Sequence, residues 1–440
     1  MILSGWGNYP RADCRTISGR GQDDLIAQIK AEASLIPRGN GRSYGDAALN
    51  RDATLLMLGH DRILAFDPGS GRVTCESGVM LADLLSVFMP RGWFPPVTPG
   101  TKLVTVGGMI AADVHGKNHH AAGSFCRYVE RLELALADGR VVNCSRKENA
   151  EIFAATCGGM GLTGLILSAT FSMLPIETGW MRLETVRCSN LNETTRCFEA
   201  NSNWSYSAAW IDCLGTGEKQ GRSIIYLGEH ALLEELGAEE RANRWALAKQ
   251  APKRVPANVP SLTLNRISLL AFNEIYHRYS RAGTSLVGWN KFFYPLDEIL
   301  EWNRLYGRAG FVQFQCVLPE EASREGLHQL LNAVSRAGMG SFLAVLKLLG
   351  TQDTGLISFP MRGYTLAMDF PMRRPTPSLL RELDAIVADY GGRLYLAKDA
   401  SMRADLFRRG YEGRSGFVEI RRRIGADAKF GSLLSKRLAL

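Results

Sequence analysis

Residues 99–120 read P-G-T-K-L-V-T-V-G-G-M-I-A-A-D-V-H-G-K-N-H-H, and they say more about the architecture than any other part of the chain. The apolar run 103–106 has the composition of a β-strand. It is followed by Gly107 and Gly108, where a backbone can approach a ligand closely because no Cβ intervenes. Three histidines and a lysine complete the stretch. This mixture predicts the wall of a site for a large, flat, anionic cofactor.

Length and composition limit the classes of protein that this chain can form. Its 440 residues, 46% hydrophobic and 22% charged, predict more than one domain with a substantial core. We find neither an apolar run of about 18 residues nor a signal peptide, so we expect a cytoplasmic protein. The nine cysteines lack C-x-x-C spacing, which argues against a disulfide framework and a zinc ribbon. His119 and His120 are adjacent rather than spaced as ligands, and we predict no metal site.

The net charge of +8 comes largely from the C-terminal end, where residues 402–437 hold ten basic and four acidic side chains. One interpretation is a solvated face. The other is attraction to an acidic partner: anionic lipid headgroups, a phosphorylated substrate or nucleic acid. No nucleic-acid motif accompanies the basic residues, so nucleic acid is the weakest of the three.

Two glycine-rich loops flank this central stretch. Residues 37–46 (P-R-G-N-G-R-S-Y-G-D) are rich in N–H donors of the kind that form nests for phosphate oxygens. Residues 157–164 (C-G-G-M-G-L-T-G) contain G-x-G-x-x-G, but a helix precedes them and a strand follows. That order is the reverse of the dinucleotide motif. We interpret the second loop as a turn into a core strand whose backbone also lies along a cofactor.

Hydrophobic periodicity predicts helices and strands along the whole chain. The helices are expected at 22–33, 80–89, 148–156 and 376–390. The strands are expected at 54–58, 63–66, 73–77, 129–137, 140–144, 165–174, 311–317, 341–348, 363–369 and 393–399. Turns at 67–71 and at Asp138-Gly139 predict two hairpins. Gln313, Gln315 and Lys347 form the floor of a substrate pocket if their strands are buried; the alternative is a half-exposed sheet on which they face water.

Four motifs occur in order: R-G-N-G-R-S-Y-G-D at 38–46, the stretch 99–120, G-G-M-G-L-T-G at 158–164 and Y-L-A-K-D at 395–399. Together they resemble the flavin oxidoreductases of the vanillyl-alcohol-oxidase type. Within that class, H-G-K-N-H-H at 115–120 is similar to the family of decaprenylphosphoryl-β-D-ribose 2-oxidases. The resemblance covers nearly the whole chain.

The resemblance implies an α+β fold. A PCMH-type FAD-binding domain of two α+β subdomains would occupy residues 1–178. A substrate-binding domain with an antiparallel sheet would be inserted at 179–392, and a C-terminal segment, 393–440, would return to the FAD-binding domain.

The same resemblance implies FAD as the cofactor, with 38–46 around the pyrophosphate and later residues along the flavin, the ribityl chain and the adenine. The residues carried over are Arg38, Gly39, Asn40, Gly41, Arg42, Ser43, Tyr44, Gly45, Asp46, Gly100, Thr105, Val106, Gly107, Gly108, Ala112, Asp113, Val114, His115, Ile166 and Tyr395. Sugar and lactone oxidases of this fold often carry a flavin-bonded histidine where this chain has Arg42. We therefore predict non-covalent FAD.

The activity implied by the resemblance is oxidation of a secondary alcohol, C2 of ribose on a polyprenyl phosphate, to a ketone. Lys398 matches the family's essential lysine and would stabilise the reduced flavin as a fixed cation. Tyr44 and His115 would lie against the flavin, where His115 either acts as the base or only orients the ring. The residues implied to hold the sugar and its phosphate are Lys117, Gln315, Lys347 and Lys398.

A ketone product requires a reductase, so the family implies an NAD(P)H-dependent short-chain keto-reductase as partner. A lipid-linked substrate implies peripheral contact with the inner membrane surface. Two alternatives stay open. One is an FAD oxidase of a free sugar, alditol or aldonolactone, against which Arg42 and the run 115–120 count. The other is a non-catalytic flavoprotein that docks on a membrane through its basic C-terminal end.

Overall fold

A computed structural model describes residues 1–247, 253–260 and 263–440, and these form a mixed structure of helices and sheets. The strands are β1 (Ile2–Ser4), β2 (Arg11–Asp13), β3 (Thr16–Ser18), β4 (Ile36–Arg38), β5 (Thr54–Leu56), β6 (Ile63–Asp67), β7 (Arg72–Glu76), β8 (Trp93–Phe94), β9 (Val129–Ala135), β10 (Val141–Ser145), β11 (Leu165–Ser172), β12 (Leu174–Pro175), β13 (Trp180–Cys188), β14 (Tyr206–Ile211), β15 (Ser223–His230), β16 (Lys253–Arg254), β17 (Gly283–Gly288), β18 (Ile299–Leu300), β19 (Phe311–Pro319), β20 (Val345–Leu349), β21 (Gly363–Pro371) and β22 (Arg393–Leu394). The helices are α1 (Gln22–Ala31), α2 (Leu81–Phe88), α3 (Val106–Ala111), α4 (His119–Ala122), α5 (Ala150–Thr156), α6 (Leu191–Ala200), α7 (Ala238–Ala242), α8 (Arg266–Tyr279), α9 (Trp289–Phe293), α10 (Glu320–Ala337), α11 (Thr376–Asp389), α12 (Ala404–Gly410), α13 (Arg414–Arg423), α14 (Ala426–Lys429) and α15 (Leu433–Leu438). None of the helices in these ranges combines the length and the apolar character needed to cross a bilayer.

The first subdomain is built on a three-stranded parallel sheet in the order β3-β5-β4. Helix α1 carries Asp23 and Asp24 in its first turn and Lys30 in its last turn, where each charge opposes the helix dipole. Its Leu25 and Ile29 are fully buried beside the sheet. The predicted helix at 22–33 is therefore confirmed, two residues shorter at its C-terminus.

The second subdomain is a five-stranded antiparallel sheet in the order β10-β9-β11-β7-β6. Both predicted hairpins are present, and Gly71 and Gly139 adopt positive φ values of 69° and 84° at their turns. Helix α2 packs onto this subdomain through four buried side chains at helical spacing: Leu81, Leu84, Leu85 and Phe88.

The C-terminal segment returns to the first subdomain. Phe430 and Ala426 join the core cluster that contains Leu35, and the Leu35 N–H donates to the Lys429 carbonyl at 2.9 Å. The fully buried Arg421 donates through Nε to the Leu162 carbonyl in the second glycine loop, at 2.9 Å. The end of the chain is thus part of the N-terminal fold.

The inserted part is one antiparallel sheet of eight strands in the order β17-β13-β15-β14-β20-β21-β19-β22. Helices α10 and α11 pack on its strands. Directly opposed residues share a face of such a sheet, and the pairs here include Gln313 with Asp369 and Lys347 with Thr365. The α+β fold class, with an antiparallel sheet inserted in an FAD-binding domain, is confirmed. The last strand, β22, follows residue 392 and still pairs with β19.

Three predicted strands differ from the structure by more than the one or two residues by which the ends of the others shift. The run 103–106 contributes only an isolated bridge at Thr105, because α3 begins at Val106. Strand β20 begins at Val345 rather than 341, since the Ser341 hydroxyl accepts from the Leu343 N–H and turns the chain. The run 393–399 is a strand only to Leu394; a turn follows, closed by N–H donors of residues 398 and 399 on the Tyr395 carbonyl.

Candidate active site

The first glycine loop presents a row of unused backbone donors. Within the described ranges, the N–H groups of residues 39–43 have no hydrogen-bond partner. The start of the loop is fixed by Arg38, whose guanidinium donates to the Ser4 carbonyl at 2.7 Å and to the Ala48 carbonyl at 3.3 Å. Arg38 therefore shapes the loop, and the free N–H groups are the part that can receive an anion.

The loop lies directly against the central stretch. The Asn40 Nδ2 donates to the Leu103 carbonyl at 2.8 Å, and a Cβ on Gly39 would overlap the Thr105 hydroxyl. Thr105 caps α3, since its Oγ1 accepts from the Gly108 N–H at 3.2 Å. A Cβ on Gly107 would lie 2.8 Å from that of Ser77, so glycine is required there by close packing rather than by a ligand.

Several predicted cofactor residues instead hold the central stretch (residues 99–120) and its neighbouring strand in place. Val106 is fully buried in the core, and Ile166 is buried on β11 opposite Leu134. The Asp113 carboxylate accepts from Cys126 N–H at 3.1 Å and from the hydroxyls of Ser124 and Ser358, so it holds the wall to the loop before β21. A side chain engaged in this way is not available to bind a cofactor.

Other predicted residues leave a face open. Gly100 would carry its Cβ into free space, whereas Gly41 has a φ of 63° and a Cβ there would overlap the Arg38 guanidinium. Arg42 stacks on Trp6 with 4.0 Å between its Cζ and the ring centroid, and its buried Nε has no partner in the described chain. Ser43 accepts from the Trp6 N–H through its carbonyl.

The first loop also meets the turn that carries Lys398. The Tyr44 N–H donates to the Ala397 carbonyl at 2.9 Å, and a Cβ on Gly45 would overlap the Asp399 carbonyl. The next residue, Asp46, is engaged elsewhere through an ion pair with Arg437 at 2.8 Å. Tyr44 and Lys398 are thus brought together across more than 350 positions of sequence.

Lys398 lies on the ring of the buried Tyr44, with 3.8 Å between Nζ and the ring centroid. Tyr44 in turn packs edge-on against Phe311 at 5.4 Å. Burial lowers the pKa of Lys398 to about 7, with Lys347 acting in the same direction and the carboxylate of Asp369 opposing both. The ammonium therefore exchanges its proton near neutral pH.

His115 is buried and neutral in this environment. Burial, and then the charge of Lys347, hold its pKa well below the ordinary value of histidine. Its Nε2 accepts from the Gln315 Nε2 at 3.1 Å, and Gln315 is itself held at 3.2 Å from the Thr365 hydroxyl. The proton of the neutral ring then lies on Nδ1, which is buried without a partner. This favours His115 as a group that orients a ligand over His115 as the base.

Tyr395 completes this side of the site. Its hydroxyl donates to the Ala112 carbonyl at 3.1 Å, and its ring lies 5.1 Å from that of His115. Phe359 stacks on Tyr395 with centroids 4.6 Å apart. The neighbouring Val114 is buried, with its carbonyl accepting from the Phe125 N–H.

Two further lysines belong to this region: Lys347 interacts with Lys398, and Lys117 interacts with Lys347. Burial lowers the pKa of Lys347 to about 8, and burial together with the charge of Lys347 lowers the pKa of Lys117 to about 7. Lys117 lies over the Phe292 ring, 4.3 Å from its centroid, and donates to the Phe292 carbonyl. Gln315 and Lys347 lie on the same face of the sheet. Gln315 contacts His115 there, so this face does not simply meet water.

Asp369 is a site residue to which the sequence reasoning assigned no role. Its carboxylate accepts from Gln313 Nε2 at 2.6 Å and from the Tyr306 hydroxyl at 3.3 Å. Burial raises its pKa to about 7, and Lys398 counteracts that rise. The period-two pattern of β21 could have identified Asp369 from the sequence, because Asp369 lies opposite Gln313 on the same face of the sheet.

The unused donors of the site fit an anionic dinucleotide. In the described chain neither Nζ of Lys347 nor that of Lys398 has a hydrogen-bond or ion-pair partner, and the same holds for His115 Nδ1 and the N–H groups of 39–43. A pyrophosphate and a flavin satisfy such donors together. The described residues contain no cluster that could hold a metal ion. His119 and His120 bond to backbone of residues 350 and 204 instead.

This fold and this donor set define an FAD-dependent oxidoreductase. Residues 23–145 match the family model described as an FAD binding domain. The chain is 36% identical over 450 aligned residues to the decaprenylphosphoryl-beta-D-ribose oxidase of Mycolicibacterium smegmatis, with 100% of the chain and 97% of that protein covered. The chain therefore belongs to the decaprenylphosphoryl-β-D-ribose oxidase family.

Two other relatives show how far the similarity extends. An uncharacterized protein of Streptomyces coelicolor is 35% identical over 375 residues, which is 82% of this chain and all of that protein. The L-gulonolactone oxidase of Mus musculus is 33% identical over 139 residues, 31% of this chain and 31% of that enzyme. The similarity to the lactone oxidase is thus confined to about a third of each chain.

Proposed function

We propose that the enzyme oxidises the C2 hydroxyl of ribose in a polyprenyl-phosphoryl-β-D-ribose to a ketone. This would be the first half of a 2′-epimerisation that supplies an arabinose donor for cell-envelope polysaccharide. The observation that carries the proposal is the row of buried lysines in which Lys347 interacts with both Lys117 and Lys398, while one carboxylate, Asp369, opposes the charge of Lys398 alone. A phosphate-bearing substrate balances these charges, whereas a free sugar or lactone leaves them unpaired.

Bound FAD supplies the hydride acceptor for this chemistry. Lys398 has a pKa close to neutral, so its Nζ can take the proton of the reacting hydroxyl. The ammonium formed in this way is also the fixed cation beside the flavin that the resemblance assigns to Lys398. His115, held by Gln315, would position the sugar or the ring through its free Nδ1. Lys117 and Lys347 would hold the phosphate.

The test is the visible spectrum of the purified protein without oxygen, before and after a water-soluble, short-chain prenyl-phosphoryl ribose is added. We expect flavin absorption that bleaches on addition, and a ketone product recovered from the mixture. Bleaching by free ribose, an alditol or an aldonolactone at comparable concentration would contradict the proposal and favour the sugar-oxidase alternative. A protein that shows flavin absorption but bleaches with none of these compounds would favour the non-catalytic flavoprotein.

We further propose that a keto-reductase of the NAD(P)H-dependent short-chain class consumes the product. The ketone is two electrons more oxidised than either epimer, so a hydride donor must complete the epimerisation. Adding such a reductase and NADPH to the aerobic reaction should convert the ketone to the arabino epimer. Accumulation of the ribo epimer alone would contradict the partner assignment.

A further inference from the structure

Helix α8 carries a stripe of apolar side chains on its solvent side. Ile267, Ile275 and Tyr279 are 80%, 59% and 74% exposed. Together with the exposed Ala271 they are spaced four residues apart, which places them along one side of the helix. Single exposed apolar residues are ordinary, but a row of them on one side of a helix, here with Ser268 and Arg278 between them, indicates a surface that contacts something apolar.

The opposite side of α8 is firmly attached to the sheet. The Asn273 Nδ2 donates to the Asp212 carboxylate at 2.6 Å, and Tyr276 contacts Trp210 with ring centroids 4.9 Å apart. The Tyr276 and Tyr226 hydroxyls are 2.8 Å apart. Trp210 pairs opposite Val345, which shares its sheet face with Lys347. The helix therefore lies on the same face of the sheet as the pocket floor.

A layer of aromatic rings connects α8 to Lys398. Phe272 of α8 lies 6.1 Å from Phe342, which stacks on Tyr306 at 5.7 Å. Tyr306 stacks on Phe311 at 4.1 Å, and Phe311 meets Tyr44 beneath Lys398. This aromatic layer (residues 272, 342, 306, 311 and 44) is a continuous series of ring contacts from the exposed helix to the ring beneath Lys398.

Positive charge accompanies the stripe. Arg266, Arg278 and Arg281 are exposed on α8 or just after it, and none of the three makes an ion pair in the described chain. The acidic side chain of α8, Glu274, is already paired with Arg222 at 2.7 Å. An apolar stripe bordered by unpaired cations is complementary to an anionic lipid surface. A second copy of the chain would place like charges opposite each other.

We propose that α8 is the membrane-docking element of this enzyme, with its apolar stripe in the headgroup region of an anionic bilayer and its arginines on the lipid phosphates. Docked in this way, α8 brings the face of the sheet that carries Lys347 toward the bilayer that holds the prenyl chain of the substrate. This inference rests on the proposed lipid-linked substrate. It also moves the docking surface from the basic C-terminal end, where the sequence suggested it, to the inserted domain.

The test is co-sedimentation of the holoenzyme with vesicles of phosphatidylcholine and phosphatidylglycerol, with pure phosphatidylcholine vesicles as reference. Two double variants probe the surface: Ile275→Asp with Tyr279→Asp, and Arg278→Glu with Arg281→Glu. We expect each to weaken binding to the anionic vesicles by about tenfold or more. The matched control is Arg408→Glu with Arg409→Glu, an exposed pair on α12 that should bind as wild type.

Each other outcome overturns the docking proposal. It is wrong if the wild type ignores anionic vesicles, or if the α12 pair loses binding and the α8 variants do not. If the wild type binds no vesicles but forms a dimer that both α8 variants abolish, the stripe is instead an interface with a second copy of the chain.

Reduction of the flavin by a water-soluble, short-chain prenyl-phosphoryl ribose, measured in parallel, keeps the two proposals separate. Wild-type enzyme that is reduced but binds no vesicles refutes only the docking. Wild-type enzyme that binds vesicles but is reduced by no ribose substrate refutes only the proposed function.

Discussion

At the scale of single residues, burial is the largest effect on the pKa of Lys398, and one neighbouring carboxylate opposes it only in part. Burial and the neighbouring Lys347 disfavour its charge, and Asp369 favours it, with a resulting pKa of about 7. A lysine in such a balance can accept a proton and then keep it as a stabilising charge. Lysine in water keeps its charge at neutral pH but cannot accept a proton there, because its pKa is about 10.4.

Replacing Lys398 by methionine should separate the charge from the packing. Lys398→Met keeps the side-chain stem on Tyr44 and removes the ammonium. We expect substrate-driven flavin reduction to slow by about 10²–10³-fold, which stopped-flow spectroscopy without oxygen would measure. Lys219→Met, at an exposed lysine, is the control and should change nothing. An unchanged rate in Lys398→Met would remove Lys398 from the chemistry.

The two lysines proposed to hold the phosphate also predict how substrate binding depends on pH. With pKa values of about 7 and 8, Lys117 and Lys347 lose protons as pH rises from 7 to 9. Only the protonated forms attract a phosphodiester, whose own charge is constant in this range. The affinity for a short-chain prenyl-phosphoryl ribose should therefore fall with rising pH, by up to about tenfold per pH unit for each lysine that must be reprotonated. Calorimetry in buffers of different ionisation enthalpy should detect proton uptake, and pH-independent binding would contradict the assignment.

Arg42 predicts how the flavin is attached. A guanidinium stacked on Trp6 offers no nucleophile at the position where a histidine could bond to the flavin. Acid precipitation should therefore release all of the flavin into the supernatant, where its absorption is measured. Yellow colour retained in the washed pellet would contradict non-covalent binding.

At the scale of elements, the site depends on how closely the first glycine loop approaches the start of α3. Thr105 both caps α3 and lies where a Cβ on Gly39 would have to be. Periodicity cannot detect such a contact, because it joins two loops that are more than 60 residues apart. The same lack of long-range information explains why the run 103–106 was predicted as a strand although α3 begins at its last residue.

Gly39→Ala should therefore weaken FAD binding and stability together. The new methyl group must displace Thr105, which moves the N–H groups of 39–43 and removes the cap of α3, worth about 1 kcal/mol. Fluorescence of released FAD and a thermal melt would measure both effects. The matched control is Gly416→Ala in α13, where a Cβ meets nothing within 4 Å and should stabilise slightly. Unchanged FAD affinity in Gly39→Ala would show that the loop tolerates the displacement.

At the scale of the whole molecule, the last helix connects two loops of the candidate site through ion pairs. Arg437 of α15 forms ion pairs at 2.8 Å with Asp46, which follows the first loop, and with Asp399, which follows Lys398. Both carboxylates are buried, and burial raises the pKa of Asp46 despite the arginine. One side chain at the end of the chain therefore joins the first glycine loop to the turn that carries Lys398.

Arg437→Met should leave two buried carboxylates without their cation and destabilise the protein by about 3–5 kcal/mol at neutral pH. The loss should shrink as the pH falls, because protonation of Asp46 removes its buried charge. Denaturant unfolding at several pH values measures this dependence. The control, Lys436→Met, removes an exposed lysine 3.8 Å from Asp52 and should cost less than about 1 kcal/mol. Equal losses in the two variants would contradict the role of Arg437 as a clamp.

The sequence alone determined the fold class, both hairpins, α1, α2 and the order of the motifs, because these depend on local periodicity, turn residues and matches of a few positions. It also named Tyr44, His115 and Lys398, which the fold brings into one site. Only the tertiary structure decided that Asp113 and Asp46 are occupied by structural partners, that Asp369 faces Lys398, and that the exposed apolar stripe lies on α8 beside the pocket. These facts depend on contacts between residues distant in sequence and on burial, and burial shifts a pKa only after the chain has folded around the group.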